Sequence, residues 1–198
     1  MNFLAHAHLS FSRPQIVVGN MISDFVKGKK QFDYITGIQK GIQLHRAIDN
    51  FTDTHEITQQ LKSFFRPQYR LYAGAFADVV YDHFLATDKN EFSTGSELKK
   101  FTAATYSILQ TNYNSLPTSF QTILPHMVTH DWLYHYSTKA GIEKSFNGLV
   151  RRAQYLSESD IAFEIFNQHY EAMGLLYHSF YPELKIFAAD HLQQLLNE

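Results

Sequence analysis

The sequence predicts an all-α fold, a single-domain helical bundle, and three observations support that prediction. Long segments repeat their apolar residues at a spacing near 3.6, which is the period of an α-helix. Only five prolines and nine glycines interrupt the 198-residue chain, and alternating strand-like runs bounded by turn dipeptides are scarce. Hydrophobic residues make up 44% of the chain and charged residues 18%. This composition favours one sizeable core over residues 1–198.

Helix start and stop signals divide the N-terminal half. Ser12 followed by Pro14 predicts a helix start, and Gly28 is expected to end that helix. Pro67 is expected to open a long helix that ends near Thr87. The helices predicted in this half cover about residues 14–28, 34–52, 55–65 and 67–87.

Prolines also set the expected boundaries in the second half. Ser96 is expected to cap a helix, and Pro125 to break or kink a later one. Pro182 is expected to separate the last two helices. The helices predicted here cover about residues 96–113, 117–136, 139–155, 159–180 and 182–197.

The composition excludes several classes of function. The net charge is −2, which gives no global electrostatic support for binding nucleic acid. The chain has no cysteine, so any metal must be held by histidine, carboxylates, amides or water. No apolar run approaches the roughly 18–20 residues of a membrane span, and the N-terminus lacks the pattern of a signal peptide. We therefore expect a soluble, cytoplasmic protein.

Metal-binding side chains are concentrated in the first 83 residues. His45, Asp49 and Asp53 lie four apart, so on a helix they share one stripe. Asp78 and Asp82 form another such pair, which is mildly destabilising unless a cation bridges the two carboxylates. Aspartate is disfavoured inside helices, so these positions imply a partner. Helical bundles build metal sites from inward side chains of this kind.

Further candidates accompany these stripes. Asp24 lies inside another apolar helical pattern. His6 and His8 lie two apart, so only an extended or irregular segment would aim both into one site. His83 follows Asp82, and both are expected to approach a common point between helices. Each feature alone also fits a surface ion pair or a buried, hydrogen-bonded histidine, but their combination favours a metal site.

A second group of histidines lies in the C-terminal half. His126 and His130 have a spacing that suits a transition metal, and His135 lies nearby. Except for Asp131, their neighbours are aromatic residues rather than carboxylates. We therefore assign this group to packing and surface.

Four motifs resemble the bacterial acyl carrier protein phosphodiesterases, also called acyl carrier protein hydrolases. They are MNFLAHAHLS, GNMISDFVKG, GIQLHRAIDNFTD and DVVYDHFLA, in the family's order and spacing over roughly residues 1–90. The resemblance implies an all-helical fold related to the HD-type metal-dependent phosphohydrolases. It also implies removal of 4′-phosphopantetheine from holo acyl carrier protein, which leaves the apo form. The implied cofactor is a divalent metal, typically manganese.

Position within these motifs implies roles for individual residues. The implied metal ligands are His6, Asp24, His45 and Asp82. Catalytic roles are expected for His8, Asp49 and His83. His8 or His83 is the expected acid that protonates the leaving serine oxygen, while Asp49 and His83 are also expected as ligands or as groups that orient ligands.

Basic residues are expected to recognise the acidic carrier protein. Lys27, Lys29 and Lys30 follow closely after Asp24 and are expected to steer an acidic partner. Arg46 is expected to pair with the phosphate. The dipeptide Arg151–Arg152 forms a second basic spot with no predicted site near it in the sequence.

Three alternatives are also compatible with the sequence. The first is a phosphohydrolase of the same chemistry that acts on a nucleotide or another small phosphoester. The second is an oxygen-activating di-iron protein, which the lack of Glu-x-x-His pairs disfavours. The third is a non-catalytic helical module that binds acidic helices.

Overall fold

A computed structural model of the protein describes residues 1–153, 155–156 and 158–197. These residues form eleven α-helices and no β-strand, which confirms the predicted all-α class. The helices are α1 (Phe3–His8), α2 (Pro14–Ile22), α3 (Thr36–Thr54), α4 (Glu56–Tyr69), α5 (Ala73–Thr87), α6 (Gly95–Thr111), α7 (Thr118–Thr129), α8 (Trp132–His135), α9 (Lys139–Arg152), α10 (Asp160–Gln168) and α11 (Tyr170–Asn197). The assignment of residues 1–198 to one domain stays a prediction, and Glu198 lies outside the described residues.

The predicted start of α2 at Pro14 is confirmed, but its predicted end at Gly28 is wrong. The chain tightens after Ile22 into a 3₁₀ turn over Ser23–Phe25. Gly28 then adopts a positive φ of 56° and opens a second 3₁₀ segment that ends at Asp33. A side chain at Gly28 would be strained in that conformation. These turns carry Asp24 out of the helix and towards the surface.

Three later boundaries differ from the prediction. Pro67 lies in the last turn of α4 rather than at a helix start. Thr94 rather than Ser96 caps α6, because its hydroxyl accepts a hydrogen bond from the backbone N–H of Glu97. Pro125 lies inside α7, and the break comes later, where Asp131 takes a left-handed conformation with φ 42°.

Pro182 lies inside α11 and does not divide it, so that predicted boundary is also wrong. Buried residues on both sides of the proline, Tyr181 and Leu184 among them, keep the helix packed against α3, α4 and α5. The break occurs earlier instead, at His169 between α10 and α11. The helix predicted over 139–155 ends at Arg152, and Gln154 within that prediction lies outside the described residues. None of the described helices is both long and apolar enough to cross a membrane.

Two glycines allow α2 and α3 to cross at close range. A Cβ atom on Gly19 would clash with the backbone carbonyl of Ile38, and one on Gly41 would clash with the backbone carbonyl of Ile16. Glycine at both positions therefore lets the two backbones approach directly. This contact brings the end of α2 beside the middle of α3, where the predicted stripe of His45, Asp49 and Asp53 begins.

Helix α5 lies at the centre of the molecule and packs against α1, α4, α9 and α11. It is buried along most of its length. An aromatic cluster fills the space beside it, with the Phe76 ring 5.5 Å from that of Phe65 and 5.1 Å from that of Phe146. These phenylalanines therefore pack α4, α5 and α9 against one another.

Candidate metal centre

His6, His45 and Asp49 form a compact cluster in which one ligand atom from each residue lies within 4.8 Å of the others. Nε2 of His6 is 3.2 Å from Oδ1 of Asp49, and Nε2 of His45 is 3.0 Å from Oδ2 of the same carboxylate. The two imidazole rings stack with centroids 3.8 Å apart. Among the described residues, no other group of three such side chains is as close.

Three separate elements bring this cluster together. His45 and Asp49 lie one turn apart on α3, as their spacing predicts. His6 comes from the short helix α1. Asp24 comes from the 3₁₀ turn after α2, and its Oδ1 lies 3.1 Å from Nε2 of His45. The side chain of Asp24 is 71% exposed, whereas that of His45 is only 5% exposed. The cluster is therefore open to solvent on the Asp24 side.

Asn20 ties the two histidine-bearing helices together, a role that no motif of the sequence predicts. Nδ1 of His45 donates a hydrogen bond to the backbone carbonyl of Asn20 at 2.7 Å, because a carbonyl oxygen only accepts. The side-chain amide of Asn20 donates to the backbone carbonyl of His6 at 2.9 Å. The first bond fixes the ring so that Nε2 faces the carboxylates, the usual way in which a ligating histidine is oriented. The spacing of Asn20 and Asp24 in GNMISD is the only sequence signal for this role.

The charges of the cluster shift its pKa values. Burial disfavours the charged form of His45, but hydrogen bonds to Asp24 and Asp49 outweigh burial and raise its pKa to about 9. Burial also opposes ionisation of Asp49, yet its contacts with His6 and His45 hold the pKa of Asp49 well below its ordinary value. The site thus stabilises ionised carboxylates around a position where positive charge is favoured.

The residues present fit a divalent metal. Among the described residues, Nδ1 of His6 has no polar partner, and Nε2 lies 3.2 Å from Oδ1 of Asp49 outside hydrogen-bond geometry, although the residue is only 2% exposed. An unpaired buried polar atom is costly and implies a missing partner. Two imidazoles with carboxylate oxygens are ligands that suit manganese, iron, cobalt or zinc. A metal at this position would supply the partner of His6 and offset the charge of the carboxylates.

Asp82, a predicted ligand, lies outside this cluster. Its two carboxylate oxygens accept the backbone N–H groups of Leu4 and Ala5, at 2.7 and 3.2 Å. The carboxyl oxygens satisfy open donors of the first turn of α1, and burial raises the pKa of Asp82 to about 7. Asp82 therefore anchors the helix that carries His6. Asp78, one turn earlier on α5, lies 3.0 Å from the amino nitrogen of Met1.

The structure does not bring His8 or His83 to the cluster. Nδ1 of His8 lies 2.7 Å from the Tyr181 hydroxyl, on the other side of α1. His83 donates from Nδ1 to the backbone carbonyl of Tyr136 at 2.7 Å, and its Nε2 lies 2.9 Å from the Tyr170 hydroxyl. Both rings are held in polar contacts of the core.

The basic segment lies beside the cluster. Lys27, Lys29 and Lys30 are exposed and directly follow the turn that carries Asp24. Arg46 follows His45 on α3 and donates to the backbone carbonyl of Val26, which fixes the start of this segment. A second nitrogen of Arg46 donates to the side chain of Gln31 at 2.7 Å. The segment and the cluster therefore lie on the same side of the molecule.

Other predicted groups take different positions. Asp53, the last member of the stripe on α3, pairs with Lys62 at 2.7 Å and does not join the cluster. His126, His130 and His135 are exposed. These histidines belong to no metal-sized group among the described residues. A cavity of about 320 Å³ opens beside the cluster, with Asp24 in its wall.

The fold and the cluster define a class, namely all-helical proteins with a solvent-open cluster of histidine and aspartate that could hold a metal ion. The family model described as acyl carrier protein phosphodiesterase matches residues 1–184. The chain belongs to this family. No solved structure matches it significantly, so the relation to the HD-type fold stays a prediction.

Relatives that are named acyl carrier protein phosphodiesterase match most of the chain. An acyl carrier protein phosphodiesterase of Photorhabdus laumondii is 32% identical over 92% of this chain and 92% of its own length. One of Yersinia pestis is 30% identical over 93% of this chain and 95% of its own length. One of Yersinia enterocolitica is 30% identical over 96% of this chain and 98% of its own length. The match therefore extends well beyond the four N-terminal motifs.

Proposed function

We propose that this protein is a metal-dependent phosphodiesterase that removes 4′-phosphopantetheine from holo acyl carrier protein. The observation that carries the proposal is the cluster of His6, His45 and Asp49 in a chain that matches the acyl carrier protein phosphodiesterase family. A cytoplasmic location belongs to the same proposal, because it follows from the proposed substrate.

The cluster residues would hold the metal with Nε2 of His45, a ring nitrogen of His6 and the carboxylates of Asp49 and Asp24. A bound divalent metal supplies a water of lowered pKa and neutralises charge on the phosphate. In the net reaction a water oxygen bonds to phosphorus, and the bond from phosphorus to the serine oxygen of the carrier protein breaks. That serine oxygen takes up a proton, so the products are the apo protein and 4′-phosphopantetheine. Asn20 keeps His45 in the required orientation throughout.

Manganese is the metal proposed for this site. The donor set combines nitrogen with carboxylate oxygen and contains no sulfur, which suits harder divalent ions. The open side at Asp24 leaves room for water and substrate beside the protein ligands.

The exposed segment after Asp24 is the proposed docking surface for the acidic carrier protein. It combines Lys27, Lys29 and Lys30 with two exposed apolar residues, Phe32 and Ile35. Positive charge steers an acidic partner, and apolar side chains supply contact area once it has docked. The contacts of Arg46 with Val26 and Gln31 hold this surface next to the cluster.

The test is intact-mass analysis of holo acyl carrier protein incubated with the protein and Mn²⁺. Loss of the phosphopantetheine mass is expected, and EDTA or the Asp24→Ala variant should abolish it. Asp53→Asn is the matched control, because Asp53 lies on the same helix as Asp49 but pairs with Lys62. An unchanged carrier protein, with metal bound to the enzyme in stoichiometric amount, would contradict the proposed substrate but support the proposed metal site.

A triple Lys27→Ala, Lys29→Ala, Lys30→Ala variant separates a carrier-protein enzyme from a small-molecule phosphodiesterase. We expect KM for holo acyl carrier protein to rise about tenfold, because three steering charges are lost. Hydrolysis of bis(p-nitrophenyl) phosphate should change less than twofold. Equal losses on both substrates would contradict the docking surface.

A further inference from the structure

The cavity beside the cluster combines an apolar wall with charged groups. Phe3, Phe25, Ile123 and Trp132 form much of the wall, and Asp24, Asp78 and Arg152 also line it. Its volume of about 320 Å³ lies at the lower end of the range of about 300–1,000 Å³ for small-molecule sites. Asp24 lines the cavity, and its Oδ1 lies 3.1 Å from Nε2 of His45 in the cluster. A ligand held at the cluster would therefore extend into this cavity.

Arg152 is the only basic residue that lines the cavity within the described part of the chain. It lies in the last turn of α9 and is exposed. No carboxylate of the described residues lies within ion-pair distance of its guanidinium group. A guanidinium with no carboxylate beside it among the described residues, next to an open site, is suited to bind a phosphate through two parallel hydrogen bonds.

We propose that this cavity binds the 4′-phosphopantetheine arm of the substrate and that Arg152 pairs with its phosphate. The identity of the arm rests on the proposed function. The methyl and methylene groups of the arm would contact Phe3, Phe25 and Trp132, while Asn2 in the same wall offers an amide to its amide groups. Asp78 is paired with the Met1 amino group at 3.0 Å, so Asp24 is the carboxylate that would repel a phosphate, and the cluster's metal and Arg152 would offset that charge.

Trp132 allows this binding to be measured without catalysis, because it is the only tryptophan of the chain and lines the cavity. Its fluorescence would be followed in the presence of Mn²⁺ while 4′-phosphopantetheine or pantetheine is added. Wild-type protein should bind 4′-phosphopantetheine at least about tenfold more tightly than pantetheine, as expected for a charge-assisted phosphate contact. Arg152→Gln should reduce this ratio at least about fivefold.

Arg151→Gln is the matched control, because Arg151 is exposed on the same helical turn but does not line the cavity. It should keep the wild-type ratio. Ala75→Leu tests the cavity itself. Ala75 lines both this cavity and a smaller one of about 190 Å³ beyond Arg152. The larger side chain should weaken both ligands at least about tenfold, with folding checked by circular dichroism.

The outcomes separate this inference from the proposed function. Hydrolysis of holo acyl carrier protein together with an unchanged ligand ratio in Arg152→Gln would overturn the role of Arg152 and leave the function intact. Absence of hydrolysis together with an Arg152-dependent ratio would overturn the function and support the binding site. A Trp132 signal that responds to neither ligand in wild type, while the carrier protein is hydrolysed, would overturn the cavity as the arm's site.

Discussion

The two sides of α1 carry the same residue type in opposite circumstances. His6 and His8 lie two residues apart, and both are withdrawn from solvent. His8 contacts the Tyr181 hydroxyl at 2.7 Å and a Glu91 carboxylate oxygen at 3.4 Å. Among the described residues, Nδ1 of His6 has no polar partner and Nε2 lies 3.2 Å from Asp49 outside hydrogen-bond geometry, while the ring stacks on that of His45. His8, on one side of α1, has hydrogen-bonding partners, whereas His6, on the other side, is available to bind a ligand.

This difference shows that the partners of a histidine, rather than its burial, indicate its role. Burial lowers the pKa of His6 and of His8 alike, in each case to about 4. The pKa therefore does not distinguish them. What differs is the geometry: the His6 ring faces a carboxylate and a second imidazole, whereas His8 completes a polar contact within the core.

The largest effect is expected for His6→Gln. Loss of one imidazole ligand should remove the bound metal and lower activity about 10³-fold, because the metal provides the activated water. Metal content by mass spectrometry and hydrolysis of holo acyl carrier protein would be measured together. Asp53→Asn should leave both unchanged. A His6→Gln protein with full metal content and activity would remove His6 from the site.

Asp82→Asn comes next and tests the anchor of α1. The amide would retain one acceptor and turn an N–H₂ group towards the second backbone N–H, which costs about 2 kcal/mol of unfolding free energy. Urea unfolding would measure the loss, while the folded variant should keep its metal. Metal loss without any loss of stability would instead restore Asp82 as a ligand.

His8→Gln distinguishes a core contact from the predicted proton donor. We expect a stability loss of about 1 kcal/mol from the altered contacts with Tyr181 and Glu91. Metal content should not change, and kcat should stay within twofold. If kcat fell about 100-fold with metal content intact, His8 would be supported as the acid predicted from the sequence.

The smallest effect concerns pH and His83. Burial lowers its pKa to about 4, below the ordinary value near 6.5, so between these values the unfolded chain binds more protons. Stability from this group is therefore lost as pH falls below about 6.5. Relative to His83→Gln, the wild-type protein should lose about 1 kcal/mol of unfolding free energy between pH 7.5 and pH 5.5.

Urea unfolding of both proteins at the two pH values would check this difference. Contributions from the other titrating groups cancel, because both proteins contain them. A difference that does not change with pH would show that His83 is not held in its neutral form.

Helical periodicity determined the all-α class and placed most helices, since that signal is local. Boundaries set by single prolines were less secure. Helix α11 continues through Pro182, because packing of the residues on both sides of the proline outweighs the lost backbone hydrogen bond. Gly28 did not end a helix, because the chain had already tightened into a 3₁₀ turn at Ser23. Local helix signals compete with tertiary packing, which cannot be read from the sequence.

The sequence by itself determined which chemistry was available and which residues of α3 share a face. The absence of cysteine and the four-residue spacing of His45 and Asp49 follow from the chain alone. Only the tertiary structure separated His6 from His8 and joined Arg152 to the cavity at Asp24. These relations depend on helices distant in sequence, and helix packing fixes which face of each helix meets the site.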